Sequence, residues 1–156
     1  MNMLNIRKNL KMNKRLLLIG LIFLFSCKND VKETLVEAKW GDNLELALNQ
    51  ASDSDKIVMI DFMAQWCPPC KKMDQETFSD QNVIEKLNEF ILLKIDVDKQ
   101  QNVAKKYNGN ARKYGGMGIP NILFLDKEKN IVHRIVGFHD ADQLISVMDS
   151  VLLDLL

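Results

Sequence analysis

Two cysteines stand two residues apart in the stretch Cys67-Pro-Pro-Cys70. Thiols at this spacing can close a small-ring disulfide and reopen it by exchange. One such pair cannot complete a tetrahedral zinc site, which needs four ligands, and the only histidines in the sequence are His133 and His139. The spacing therefore favours redox chemistry over metal binding.

The residue types around the pair predict different roles for the two thiols. If a helix begins at the motif, Cys67 lies at its N-terminus, where free N–H groups and the partial positive charge favour a thiolate. Cys67 is then the predicted attacking nucleophile. Pro68 and Pro69 offer no N–H, so we expect the amide and thiol of Cys70 to supply much of the stabilisation. Cys70, one turn further in, is predicted to be shielded and to act as the resolving thiol, which releases the reduced substrate.

Asp61 is an ionisable residue inside an otherwise apolar run, residues 57–63. Burying a carboxylate is costly unless it is paired or functional, and burial raises its pKa. The alternative is that Asp61 ends the strand at the surface, where its carboxylate would be solvated.

The elements that must position these residues follow from hydrophobic periodicity, capping residues and turn signals. The run 57–63 has the composition of a strand buried on both faces of a sheet. The order β-α-β-α-β-α-β-β-α, in which the two helical pieces between 57–63 and 91–97 count as one, predicts an α/β fold, a central mixed β-sheet with helices on both faces. The predicted elements are a strand at 35–39, a helix capped by Asp42, the strand 57–63, a helix from about Pro68, a helix from Ser79 or Asp80, a strand at 91–97, a helix from Lys99 to about Tyr107, a loop at 108–118, a hairpin of 121–125 with 131–136, and a helix from Asp140.

Composition and charge limit the function classes. The 156 residues suit one domain, and 7 Gly and 3 Pro argue against a fibrous or disordered chain. Lys+Arg and Asp+Glu are equal at 21 each, and a protein that grips nucleic acid usually has a basic excess. We therefore expect no nucleic-acid partner.

The first 26 residues differ from the rest of the chain. They contain five basic residues and no acidic one, and the apolar run 16–25 follows the basic part. This is the pattern of an export signal, because a membrane-spanning helix needs about 20 apolar residues. Without them, the chain from Cys27 has 16 basic residues (21 minus 5) against 21 acidic ones, a net charge of −5.

The stretch Leu24-Phe25-Ser26-Cys27 resembles the lipobox of bacterial lipoproteins. The resemblance implies a signal peptide at 1–26, lipidation of Cys27, a tether at 27–34 and a domain at 35–156. Lipidation of Cys27 would leave Cys67 and Cys70 as an even set, as expected for an exported protein. The alternative is an uncleaved anchor with an incidental cysteine. Met12 is a second candidate start of translation.

Three segments resemble the thioredoxin superfamily. The stretch Asp61-Phe-Met-Ala-Gln-Trp-Cys-Pro-Pro-Cys-Lys-Lys72 resembles its active-site segment, and Gly118-Ile-Pro-Asn-Ile-Leu-Phe124 resembles the loop that carries its cis-proline. Residues 76–83 are similar to the periplasmic C-terminal domain of DsbD-type thiol reductases. The resemblance covers roughly residues 35–155 and implies a thioredoxin fold. The loop at 108–117 is longer than in plain thioredoxin, which leaves the choice of partner open.

The resemblance also implies roles for single residues. Asp61 matches the buried carboxylate that exchanges a proton with the resolving cysteine, and Lys94 matches the lysine that pairs with it. A cis bond between Ile119 and Pro120 would let Ile119 pair with an extended substrate segment beside the nucleophile. Trp66 stands next to the nucleophile and is therefore expected on the rim of the site, and the alternative is a place in the core.

The function predicted from these features is a thiol:disulfide oxidoreductase that reduces protein disulfides outside the cytoplasm, without a cofactor or a metal. We expect a lipid-anchored monomer on the periplasmic side of a bacterial membrane, with protein thiol or disulfide substrates and a membrane redox partner of DsbD type. Apocytochrome c thiol reduction and disulfide isomerisation are alternatives within the same chemistry. A copper-binding or chaperone module that uses the cysteine pair as soft ligands is an alternative of another class.

Overall fold

The computed structural model describes residues 37–154 of the chain. The predicted signal peptide, the tether and the lipidated Cys27 lie outside the described residues. Among the residues that are described, no helix is long and apolar enough to cross a membrane.

Five α-helices and four strands make up the described part. The described part also contains two short turns of other helix types. A π-helical turn continues α2, and a 3₁₀ turn lies within the long loop between α4 and β3, residues 107–120. In chain order they are α1 Leu44–Ser54, β1 Val58–Met63, α2 Pro68–Lys72, the π turn Met73–Thr77, α3 Gln81–Leu87, β2 Ile91–Asp96, α4 Gln101–Lys106, the 3₁₀ turn Arg112–Tyr114, β3 Asn121–Leu125, β4 Ile131–Val136 and α5 Ala141–Leu153.

The four strands form one mixed sheet in the order β2-β1-β3-β4. Strand β1 runs parallel to β2 and antiparallel to β3, and β3 and β4 form the predicted antiparallel hairpin. All six residues of β1 are buried, which agrees with its near-continuous apolar sequence. The predicted α/β fold with a central mixed sheet is therefore confirmed.

Helices cover both faces of the sheet because successive side chains of a strand point to opposite faces. On one face, Ala47 and Leu48 of α1 pack in a cluster with Ile60 and Phe62 of β1. On the other face, Leu144 and Met148 of α5 belong to a second cluster that contains Met59 and Phe124. The sheet thus separates two cores, and the loop after β1 leads to the cysteine pair.

Capping residues set several helix starts as predicted. The Asp80 carboxylate accepts hydrogen bonds from the amides of Asn82 and Val83 at the start of α3. Asp140 forms a capping box with Gln143 at the start of α5. These side chains satisfy amides that have no partner within the helix.

The predicted first strand and the first cap are wrong where the structure describes them. No strand forms at residues 37–39, and the only pairing nearby is a single parallel bridge between Gly41 and Leu93. Only Gly41 pairs with β2 here, through its amide to the Leu92 carbonyl and its carbonyl to the Lys94 amide, so the contact stays a bridge and does not extend into a strand. The cap is Asn43, whose Oδ1 accepts the Leu46 amide, and Asp42 lies one residue before it.

The helix predicted from Lys99 begins later, at Gln101. Residues 97–99 form a turn instead, in which the Asp96 carbonyl accepts the amides of Lys99 and Gln100. The Asp96 carboxylate also accepts the Asp98 amide at 3.0 Å. This turn at the end of β2 places Asp98 where it takes part in the site described below.

Candidate active site

The cysteine pair lies where the chain passes from β1 into α2. Cys67 is the N-cap of α2, with extended backbone angles, and its amide donates to the Ala64 carbonyl at 3.1 Å. Pro68 and Pro69 occupy the first helical positions, where a missing N–H costs no hydrogen bond. Cys67 and Cys70 are joined by a disulfide, and their Cα atoms are 5.3 Å apart.

The Cys70 amide donates to Cys67 Sγ at 3.2 Å. This is the donor that the sequence predicts for Cys67, since the two prolines between the cysteines have none. A hydrogen bond to a sulfur favours its thiolate once the disulfide is reduced.

The two cysteines have nearly the same exposed fraction. Cys67 is 1% exposed and Cys70 is 3% exposed, so both are buried in the disulfide form. The prediction that Cys70 is shielded is confirmed for the disulfide form, but Cys67 is shielded to the same extent. The two cysteines differ in their place in the helix, since Cys67 is the N-cap of α2 and Cys70 lies within it.

Asp61 lies in the interior of β1 and is only 2% exposed, which excludes the alternative of a solvated strand end. Burial raises the pKa of its carboxyl from 3.8 to about 6, against the opposing effect of the Lys94 ammonium. Oδ1 of Asp61 is buried and has no hydrogen-bond partner among the described residues.

Lys94 faces Asp61 across the β1–β2 pair, where the two residues are register partners. Its Nζ lies 3.6 Å from Oδ2 of Asp61 and also binds Oδ1 of Asp74. The ammonium further lies 4.9 Å from the ring centre of Trp40 and 5.1 Å from that of Phe78. One lysine therefore connects the buried carboxylate to a second, partly exposed carboxylate.

The sequence-based prediction missed Asp74. It lies in the π turn Met73–Thr77, and its negative charge adds to the rise in the pKa of Asp61. Asp74 follows Cys70 by four residues, the spacing that puts two side chains on one face of a helix. The spacing could have indicated that Asp74 lies near Cys70. It could not have indicated the link to Asp61, because that link is made by Lys94 of β2.

Trp66 is 43% exposed and lies on the rim of the site, as expected, and not in the core. Its Nε1 donates to Oδ2 of Asp98 at 2.6 Å, and the hydroxyl of Tyr114 donates to Oδ1 of the same carboxylate at 2.6 Å. These hydrogen bonds lower the pKa of Asp98, with that from Tyr114 the largest cause. Lys113 Nζ lies 3.6 Å from the Trp66 ring centre. The long loop is thereby connected to the residue that precedes Cys67.

The Ile119–Pro120 peptide bond is cis, as the resemblance implies. Pro120 is buried and Ile119 is partly buried. Trp66 and Ile119 both line a groove of about 360 Å³. The structure therefore brings together, on one groove, the residue before Cys67 and the residue before Pro120.

Neither histidine lines the groove that Trp66 and Ile119 share. His133 is exposed on β4, where its ring is 6.2 Å from that of Phe124, and His139 Nδ1 lies 3.0 Å from the Gly137 carbonyl oxygen. Within residues 37–154, no group of three or more His, Cys, Asp or Glu side chains is arranged to hold a metal ion.

Known proteins are similar to this chain in sequence and in fold. A family model described as a thioredoxin-like domain matches residues 44–152. A thiol:disulfide interchange protein DsbD from Campylobacter jejuni (strain RM1221) is 32% identical over 108 residues, which make up 69% of this chain and 18% of the relative. The chain thus matches less than a fifth of that relative.

Solved structures give the same result for the fold. The C-terminal domain of DsbD from Neisseria meningitidis in the reduced form superimposes with a TM-score of 0.53 at 25% identity, covering 72% of this chain and 98% of that domain. A thioredoxin from Nicotiana alata has a TM-score of 0.54 at 28% identity and covers 68% of this chain and 82% of its own. The chain belongs to the thioredoxin-like domain family, and the Cys67–Cys70 pair gives it the reactive centre of a thiol:disulfide oxidoreductase.

Proposed function

We propose that this protein reduces disulfide bonds of other proteins by dithiol exchange outside the cytoplasm. The observation that carries the proposal is the Cys67–Cys70 disulfide at the start of α2, with the Cys70 amide on Cys67 Sγ. A dithiol that can close such a disulfide gives up two electrons to its substrate without a cofactor.

The reaction has two exchange steps. The Cys67 thiolate attacks one sulfur of the substrate disulfide, forms a mixed disulfide and releases the other sulfur as a thiolate. The Cys70 thiol then loses its proton and attacks the sulfur of Cys67, which closes the Cys67–Cys70 disulfide and releases the second substrate thiolate. The two released thiolates take up protons, so the substrate gains two electrons and two protons.

Asp61 is the proposed acceptor of the Cys70 proton. A carboxyl with a pKa of about 6 is mostly ionised at neutral pH and yet can be protonated at little cost, which suits a general base. Its Oδ1 has no partner among the described residues, so one oxygen is available for the proton. Lys94 holds the other oxygen and connects it to Asp74.

The cellular arrangement is also a proposal. Residues 1–26 would act as a signal peptide, lipid on Cys27 would anchor the chain, residues 27–34 would form a tether, and residues 35–156 would be the redox domain on the periplasmic side of a bacterial membrane. The similarity to DsbD relatives supports a membrane partner of that type as the electron donor. Labelling of cells with a fatty-acid analogue tests the anchor, since Cys27→Ala should abolish incorporation and Cys67→Ala should not.

The reduction potential of the Cys67–Cys70 couple tests the direction of electron flow. A value near that of thioredoxin, about −270 mV, is expected for a reductase. A value near about −120 mV, as in a strong oxidant, would contradict the proposal because such a couple takes electrons from substrates. The equilibrium with glutathione at several ratios, followed by the redox state of the two cysteines, gives this number directly.

A further inference from the structure

Part of the groove that Trp66 and Ile119 line is formed by the long loop between α4 and β3. Its lining combines apolar side chains of Trp66, Ile119 and Val136 with the basic side chains of Arg112 and Lys113. Both basic residues belong to the 3₁₀ turn in the loop and both are exposed. The loop therefore contributes charge to a surface that would otherwise be mainly apolar.

The two cations are held towards this surface. Arg112 Nε donates to the Met117 carbonyl at 3.4 Å, within the loop. Lys113 Nζ lies over the Trp66 ring, and Tyr114, the next residue, donates to Asp98, which also accepts from Trp66. Lys113 thus contacts the tryptophan that precedes the nucleophile, and Arg112 is held by a backbone carbonyl of its own loop.

The charge of the groove is opposite to that of the domain. Residues 37–154 contain 14 basic and 19 acidic residues, a net charge of −5. No carboxylate lines the groove, and neither Arg112 nor Lys113 has an ion pair with any residue in this described range. If Asp98, which accepts a hydrogen bond from Trp66, is counted together with Arg112 and Lys113, the net charge around the groove is still positive.

We infer that Arg112 and Lys113 select protein substrates in which an acidic residue and an apolar residue flank the disulfide to be reduced. This inference rests on the proposed function. The acidic residue would pair with the two cations while the apolar side chain packs against Ile119 and Val136. Opposite charges across such a surface raise the rate of encounter and disfavour basic segments, and salt weakens both effects.

The test uses three peptides that each contain one disulfide and differ only in a flanking residue, Glu, Gln or Lys. Rate constants for reduction by the reduced full chain are measured at low salt and at about 1 M salt, where charge interactions reach only about 3 Å. We expect the Glu peptide to react roughly 10-fold faster than the Lys peptide at low salt and the two rates to converge at high salt.

A charge-reversal variant and a matched control complete the design. Arg112→Glu with Lys113→Glu is expected to invert the ratio of the Glu to the Lys peptide. Lys39→Glu with Lys129→Glu makes the same change of charge on exposed lysines outside the groove, and its ratio should stay close to that of the unmodified chain. Because each ratio is taken within one variant, a general loss of activity does not affect it.

A small uncharged disulfide, bis(2-hydroxyethyl) disulfide, distinguishes the two ways in which the inference can fail. If the unmodified chain reduces neither this compound nor any peptide, the proposed function itself is wrong. If it reduces the compound but all three peptides react at the same rate at low salt, only the inference about Arg112 and Lys113 is overturned. An equal shift of the ratio in both double variants would also overturn it, because the effect would then be one of net charge.

Discussion

Lys94 Nζ lies 3.6 Å from Oδ2 of Asp61, and this ion pair joins two register partners of the parallel strands β1 and β2. The lysine is shared, since it also binds Asp74. The burial of Asp61 raises its pKa to about 6, the Lys94 ammonium opposes that rise, and the Asp74 carboxylate adds to it. The balance between burial and these two charges sets the proton affinity of Asp61, the one carboxylate that is buried within residues 37–154.

Lys94→Gln and Asp74→Asn should therefore move the pKa of Asp61 in opposite directions. Removal of the lysine takes away the nearby positive charge and should raise the pKa above about 6, by roughly 1 to 3 units. Removal of the Asp74 charge should lower it, because a like charge is lost and the lysine pairs with Asp61 alone. NMR titration of the Asp61 side-chain carbon measures both shifts. Shifts of the same sign in the two variants would contradict the shared-lysine interpretation.

Asp61→Asn should remove a step near pH 6 from the pH dependence of disulfide reduction. If the carboxylate accepts the Cys70 proton, the rate rises as Asp61 ionises near its pKa of about 6. An amide cannot accept that proton, so we expect a rate roughly 100-fold lower at neutral pH and no step near pH 6. Single-turnover reduction of a peptide disulfide between pH 4.5 and 8 gives the profile. Asp53→Asn, on an exposed residue of α1, is the control, and an Asp61→Asn profile that matches it would remove the proposed proton acceptor.

Asp61 should also make the folded chain less stable as the pH rises from about 4 to about 6. In this range the unfolded chain has lost the proton that the folded chain still holds, so the free energy of unfolding falls with pH and then levels off. The pKa difference, from 3.8 to about 6, corresponds to about 3 kcal/mol. Asp61→Asn should lack this component and be more stable than the unmodified chain at pH 7. Urea unfolding of the oxidised forms at pH 4 and pH 7 measures the difference between the two chains, in which the contributions of other acids cancel.

The parts of the site that depend on local sequence could be predicted. The position of Cys67 at a helix start follows from the prolines after it, and the burial of Asp61 follows from the apolar residues around it. The start of α5 follows in the same way from Asp140 with Gln143 three residues later. Each of these features is set by residues within a few positions of one another.

The parts that depend on contacts between distant residues could not be predicted. Asp98 and Trp66 are 32 residues apart, and only the turn after β2 brings the carboxylate to the indole. Asp74 and Lys94 are 20 residues apart and meet because the π turn packs near β2. The equal burial of Cys67 and Cys70 also depends on tertiary packing, which helix position alone does not determine.

Gly109→Ala should destabilise the fold through a contact at the start of the long loop. A Cβ at Gly109 would lie 2.5–2.6 Å from ring atoms of Phe62, which is fully buried in β1. Such overpacking usually costs about 1–3 kcal/mol. At Gly41 a Cβ would lie 3.6 Å from the Leu92 carbonyl oxygen, an ordinary contact, so Gly41→Ala is the matched control. Chemical unfolding of both variants measures the difference, and equal stabilities would show that the Phe62 ring gives way without cost.

Cys70→Ser should trap substrates on Cys67 as mixed disulfides. The variant can perform the first exchange step but has no thiol to resolve the product, whereas Cys67→Ser keeps only the thiol inside the helix. Because both cysteines are almost fully buried in the oxidised chain, exposure does not identify the attacking one. Incubation of each variant with a disulfide-containing protein, followed by mass spectrometry without reductant, compares the two. A larger yield of adducts on Cys70 in the Cys67→Ser variant would reverse the assigned roles, since the cysteine within α2 would then be the nucleophile.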